Sequence, residues 1–211
     1  MRINVVAELD SATQAALTRE MGRARTRGLP VEPLVAKVRE GQIKRAAPAR
    51  IRSAVAALAL RLDSARAALG PASSEGELVS GADALAAGAG ESALRALRSS
   101  AGARDLTASL GALAQLVASG VAPRRATQMI VELLQRDAGP RELLAFGIAV
   151  ETDVGAGLPA EESALFRLRA IEAGGLTGDK ATATFGQQSG PVSIPAAGGN
   201  AGDGGRAKRK P

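Results

Sequence analysis

Apolar residues along this chain recur at helical spacing and are cut into short runs by glycine and proline. The first run lies between Asp10 or Ser11, either of which can cap a helix, and Gly28, which ends it near residue 27. Pro33 opens a short helix carrying Leu34, Val35 and Val38, and Gly41 is expected to stop it. From Pro48 the pattern is clearest. Ile51, Val55, Leu58, Leu62, Ala65 and Leu69 fall at spacings of three and four, an apolar stripe along the longest helix, which Gly70-Pro71 breaks.

Ser74-x-x-Glu77 has the form of a capping box for the next segment, which holds Leu78, Val79 and Leu85. Gly81, Gly88 and Gly90 weaken that segment, because an interior glycine costs about 1 kcal/mol relative to alanine. Its helix is the least secure of the chain. A short helix over 91–98 follows, then a clear one through Leu106, Leu110, Leu113, Leu116 and Val117 that ends at Gly120. Pro123, Pro140 and Pro159 open the last three helices, the final one fading after Ile171. Proline suits the first helical position, where its missing N–H would be unpaired in any case.

The punctuation repeats. Gly28 and Gly120 lie 92 residues apart, as do Pro48 and Pro140, and the same offset matches Val38 with Ile130 and Ile51 with Leu143. A second echo sets Gly28-Leu29-Pro30-Val31-Glu32 against Gly157-Leu158-Pro159-Ala160-Glu161. The expectation is a degenerate helical hairpin of about 37 to 46 residues, used three times with a final half unit, in the period range of stacked helical pairs. The fold class expected is therefore all-α: an irregular stack of short helical hairpins over 1–173. Residues 174–211 are rich in Gly, Ala, Ser, Thr and Pro and lack periodic apolar positions, so a disordered basic tail is expected there.

The stretch Gly28-Leu29-Pro30-Val31-Glu32-Pro33-Leu34-Val35-Ala36-Lys37, with Glu40-Gly41, Pro48, Arg50-Ile51, Ala54-Val55 and Leu58, resembles a group of uncharacterised, alanine-rich helical proteins of bacteria that includes many exported members. The resemblance covers roughly residues 10 to 70 and brings no functional residue with it. It implies a bacterial source and export. The start, Met1-Arg2-Ile3-Asn4-Val5-Val6-Ala7, is too short in apolar residues for a signal peptide, so the sequence as written reads as cytoplasmic, and as periplasmic or secreted if Met1 is an internal start.

Composition narrows the chemistry. The 211 residues are 45% hydrophobic, but Phe146, Phe166 and Phe185 are the only aromatic residues, so a core must be built from Ala, Leu, Val and Ile. A thin, elongated helical layer follows. With no cysteine and no histidine, there is no thiolate nucleophile, no imidazole base and no soft metal site. None of the five lysines follows a serine at Ser-x-x-Lys spacing. Glu161 and Glu162 point about 100° apart on a helix and serve its first turn, while Glu151, Asp153 and Glu161 lack the spacing of a calcium loop. No enzyme, cofactor or metal is expected, and no run approaches a membrane span.

The net charge of +6 is uneven: residues 1–70 carry 13 basic and 6 acidic side chains, residues 71–173 carry 9 and 13, and the remainder carries 5 and 2. The leading expectation is a non-catalytic scaffold that meets another protein, or its own copy, through Leu34, Val38, Leu78, Val79 and Leu85. The alternative is an electrostatic binder of nucleic acid or anionic surfaces acting through Arg23, Arg25 and Arg27 and through Arg206, Lys208, Arg209 and Lys210. No aromatic side chain interleaves with these cations, which speaks against nucleic acid.

Overall fold

The structure, a computed structural model, describes residues 9–173. Among them all regular structure is helical: α1 (Ser11–Thr26), α2 (Glu32–Ile43), α3 (Pro48–Leu69), α4 (Glu75–Ala87), α5 (Glu91–Ala101), α6 (Thr107–Ala118), α7 (Pro123–Gln135), α8 (Pro140–Gly155) and α9 (Ala160–Glu172). The all-α expectation holds. The expectation of disorder over 174–211 lies outside the described residues.

Local signals start each helix. The Asp10 carboxylate accepts from the Thr13 N–H at 2.9 Å to cap α1. Ser74 and Glu77 form the capping box of α4, with Oγ accepting from the Glu77 N–H and the glutamate accepting from the Ser74 N–H. Pro48, Pro123 and Pro140 stand in the first turns of α3, α7 and α8. Left-handed residues end several helices. Gly28, Gly120 and Gly157 adopt φ of 67°, 99° and 96°, and the residue after each returns an N–H to the preceding turn, as Leu29 does to the Ala24 carbonyl at 2.9 Å. After α2 and α7 the same role falls to Arg45 (φ 51°) and Asp137 (φ 57°), which are 92 residues apart like Gly28 and Gly120.

Alternate helices form two layers. In the odd layer α1 packs on α3, α3 on α5 and α5 on α7. The Arg136–Glu172 ion pair at 2.9 Å ties α7 to α9. In the even layer α4, α6 and α8 lie side by side, and α2 is near enough for Lys37 to act on the charge of Asp83 in α4. Between layers α3 meets α2 and α4, α6 meets α7, and α8 meets α9. Neighbours within a layer run parallel: Arg52 near the start of α3 donates to Thr13 near the start of α1, and Arg27 at the end of α1 pairs with Asp63 far along α3 at 2.7 Å. Helices α4, α6 and α8 start at Glu75, Thr107 and Pro140, 32 and 33 residues apart.

The core is aliphatic. Leucines of α3, α4, α5 and α6 fill it with fully buried Ala65, Ala84, Ala112, Ala126 and Ala164, and Phe146 is the one large ring enclosed among the described residues. Two glycines read as stops or weak points are contact notches instead. Gly41 lies inside α2, where a Cβ would come within 2.7 Å of Ile51 Cγ1. Gly81 lies inside α4, and α4 is a continuous, buried helix rather than an insecure one, because the notch admits α3 and α5: a Cβ at Gly81 would sit 3.1 Å from Ala65 Cβ and 3.2 Å from Leu69 Cδ1.

These contacts set opposite signs for one substitution. At Gly22, mid-α1 with nothing within 4 Å of a built Cβ, alanine should stabilise by about 0.5–1 kcal/mol. Gly81→Ala should destabilise by about 1–2 kcal/mol despite the same gain in helix propensity, because Ala65 Cβ cannot rotate away. Urea denaturation of the two variants checks this, and a stabilised Gly81→Ala would show that α3 and α4 can part at little cost.

Candidate functional site

The five apolar residues expected to meet a partner are placed in the core or against it. Leu34, Val38 and Leu78 are fully buried, and Val79 and Leu85 are partly buried and packed on the same cluster. This corrects the expectation that they form an accessible face. They are the inward stripes of α2 and α4, and α4, expected to be the least secure helix, is packed between α3 and α6.

The α1 arginines are divided. Arg23 donates to Glu20 at 3.4 Å and Arg27 to Asp63 at 2.7 Å, while Arg25 is exposed and its guanidinium makes no hydrogen bond or ion pair among the described residues. Two of the three guanidiniums are thus spent on holding α1, one of them against α3. Arg206, Lys208, Arg209 and Lys210 lie outside the described residues.

Buried polar groups converge at two points. The first joins α4, α5 and α6. Glu77 is only 4% exposed; one carboxylate oxygen accepts from the Ser74 N–H at 2.8 Å, and the other from the buried Leu106 N–H at 3.0 Å and from Arg98. Arg98 in turn donates to the Gly102 and Arg104 carbonyls at 3.0 and 3.1 Å, closing the turn into α6. The capping box was legible in the sequence. The reach of its glutamate across to Leu106 was not, because nothing local records a partner 29 residues on.

The second point joins α8 to α9. Asp153 accepts from Ser163 Oγ at 2.6 Å and, in a two-pronged pair, from Arg167 Nε at 2.8 Å and Nη2 at 2.6 Å. All three side chains are buried. Burial pushes the Asp153 carboxyl up, but the hydrogen bonds from Arg167 and Ser163 and the charge of Arg167 outweigh it and hold the group below its ordinary value. A serine, an aspartate and an arginine so enclosed have their donors and acceptors turned on one another, which makes a joint. Of the three acids considered for a cation, Asp153 is buried against Arg167, Glu151 lies on α8 across from Gln115, and Glu161 is exposed in the first turn of α9 beside Glu162. Among the described residues no group of three or more acidic side chains is placed to hold a metal ion, and no helix is long and apolar enough to cross a membrane.

What the sequence reading missed lies on the outer side of the even layer. Leu144 and Ile148 are 42% and 54% exposed, one turn apart on α8 and out of phase with its inward Leu143, Phe146 and Val150. Beside them Gly111 of α6 comes within van der Waals reach of Leu144, a built Cβ standing 3.7 Å from Leu144 Cδ2, and Gln115 covers Gly147. The result is an apolar pair on a shallow, small-residue surface shared by α6 and α8. The signal available in the sequence was the width of the apolar arc on α8, broader than a helix buried on one side requires.

Comparison with protein-family models, with curated proteins and with solved structures gives no match.

Proposed function

We propose that this chain is a non-catalytic helical scaffold whose working surface is the outer face of α6 and α8. The observation that carries the reading is the exposed Leu144–Ile148 pair on a helix whose inward stripe is already filled. Stacked hairpins bury each unit against its neighbours and leave an extended outer face for recognition. The buried acids fit the same reading, since Glu77 and Asp153 each have an arginine and serve as joints between helices. The matched left-handed residues 92 apart support a repeated unit.

A photo-cross-linking side chain at position 148 tests this in the native host, with position 18 on exposed α1 as the control. A single saturable product is expected from position 148, lost on Leu144→Asp while thermal melting of the chain is unchanged. Its mass separates a different protein from a second copy. The same products from both positions, or products indifferent to Leu144→Asp, would remove α8 as the working surface.

A further inference from the structure

A different surface, at the turn between α2 and α3, joins an exposed apolar tip to a group of cations, and it stands independently of the scaffold reading. Ile43 closes α2 and is 83% exposed, the most exposed large apolar residue among those described. The turn that presents it is fixed: Arg45 is left-handed at φ 51°, its N–H donates to the Gln42 carbonyl at 2.9 Å, and the Ala46 N–H donates to the Gly41 carbonyl at 2.8 Å. A closed turn of this kind holds the isoleucine outward.

Cations surround the tip. Arg39 lies one helical turn before Ile43 on the same exposed side of α2, and Lys44, Arg45 and Arg50 follow it, all exposed. The guanidiniums of Arg39, Arg45 and Arg50 make no hydrogen bond or ion pair among the described residues. Lys37 and Lys44 both hold Glu40, at 2.6 Å each. Glu40 is the one carboxylate of the patch, and the two lysines keep it at about 2, so its charge is constant across physiological pH. Beneath the tip, a cleft between α2 and α3 is lined by Gly41, Ala46, Ile51 and Ala54 and by Lys37, Glu40, Lys44 and Arg50.

We propose that the α2–α3 turn docks on an anionic membrane surface, Ile43 entering the acyl boundary and Arg39, Lys44, Arg45 and Arg50 lying among the lipid phosphates. An apolar tip ringed by cations matches the two layers of a bilayer interface, which reward apolar burial and positive charge together. A nucleic acid would use the cations and leave Ile43 in water, and among the described residues no ring stands near to stack a base, since Phe146 and Phe166 belong to α8 and α9. A second copy of the chain would gain little, because the patch offers a single large apolar side chain.

The test is flotation of the full chain with phosphatidylcholine vesicles, with and without phosphatidylglycerol, beside a titration of labelled duplex DNA. Binding is expected only where phosphatidylglycerol is present, weakening as salt shortens the screening length. Ile43→Asp should weaken it about tenfold or more, and Arg45→Asn with Arg50→Gln roughly 25-fold together, at about fivefold per cation. Asparagine at position 45 keeps a residue that tolerates left-handed backbone. Ile43 is exposed, so Ile43→Asp should melt as the parent does, which separates lost docking from lost fold. Vesicle binding that survives Ile43→Asp but disappears when Arg206, Lys208, Arg209 and Lys210 are changed to serine would overturn the proposal in favour of the C-terminal cations. Tighter binding to duplex than to vesicles, indifferent to Ile43→Asp, would overturn it in favour of nucleic acid.

Discussion

Arg167→Ala is expected to lower the stability of the chain by about 3–5 kcal/mol, the cost of leaving a buried charge without its partner. For a folded part of this size that is a fall in melting temperature of roughly 6–20 °C. Asp153 and Arg167 are 6% and 4% exposed, and the arginine fills two of the three contacts made to the carboxylate. Without it, Asp153 keeps only Ser163, and burial then drives its carboxyl toward the protonated form. The damage should be centred on α9, which α8 holds through this pair. Thermal melts followed by circular dichroism measure it. Changing both residues to leucine should cost less than Arg167→Ala alone, because it removes the orphaned charge as well as the pair; a double variant no better than the single would mean that packing, not charge, sets the loss.

The same pair fixes a pH dependence. With its folded pKa below the ordinary 3.8, Asp153 binds a proton less readily in the native than in the unfolded chain. Its contribution is therefore complete above that ordinary value and is lost as the pH falls beneath it. In Asp153→Asn the acid limb of the stability curve should be flatter than in the parent. Parallel limbs would place the acid sensitivity elsewhere.

Glu77→Ala should be comparably severe, at about 3–5 kcal/mol, although Glu77 reads in sequence as an ordinary capping residue. The cap itself is worth about 1 kcal/mol, and Ser74→Ala should show that value alone. The rest comes from two donors that would lose their acceptor: the buried Leu106 N–H, at about 1–3 kcal/mol, and Arg98, whose side chain is only 24% exposed. Glu77→Gln should fall between the two, because an amide can satisfy one set of donors while turning its own NH2 toward the other. Hydrogen exchange at the start of α6 gives a specific readout. Protection at Leu106 should drop in Glu77→Ala and not in Ser74→Ala, and equal protection in both would reduce Glu77 to its cap.

Much of the helical order was legible because the signals are local. Asp10, the Ser74–Glu77 box and the first-turn prolines each act within a few residues of where they stand, and Gly28, Gly120 and Gly157 take the left-handed conformation that ending a helix requires. Gly41 and Gly81 were misread for the complementary reason. A glycine that relieves backbone strain and one that admits a neighbouring helix look alike in sequence, and only Ile51, Ala65 and Leu69, brought up from α3, tell them apart. The candidate partner residues failed in the same way: Leu34, Val38 and Leu78 are apolar on one side of a helix whether that side meets a partner or another helix of the same chain.

The sequence by itself determined that this chain would be helical, where most of its helices start, that alanine and leucine would fill its core, and that positive charge would gather in its first 70 residues. These follow from propensity, capping and composition, which are properties of neighbouring residues or of sums. Tertiary structure alone decided that alternate helices share a layer, that Glu77 and Asp153 become joints, and that Leu144, Ile148 and Ile43 are left on the surface. Each of these depends on which helix arrives beside which, and that is set by packing among residues tens of positions apart.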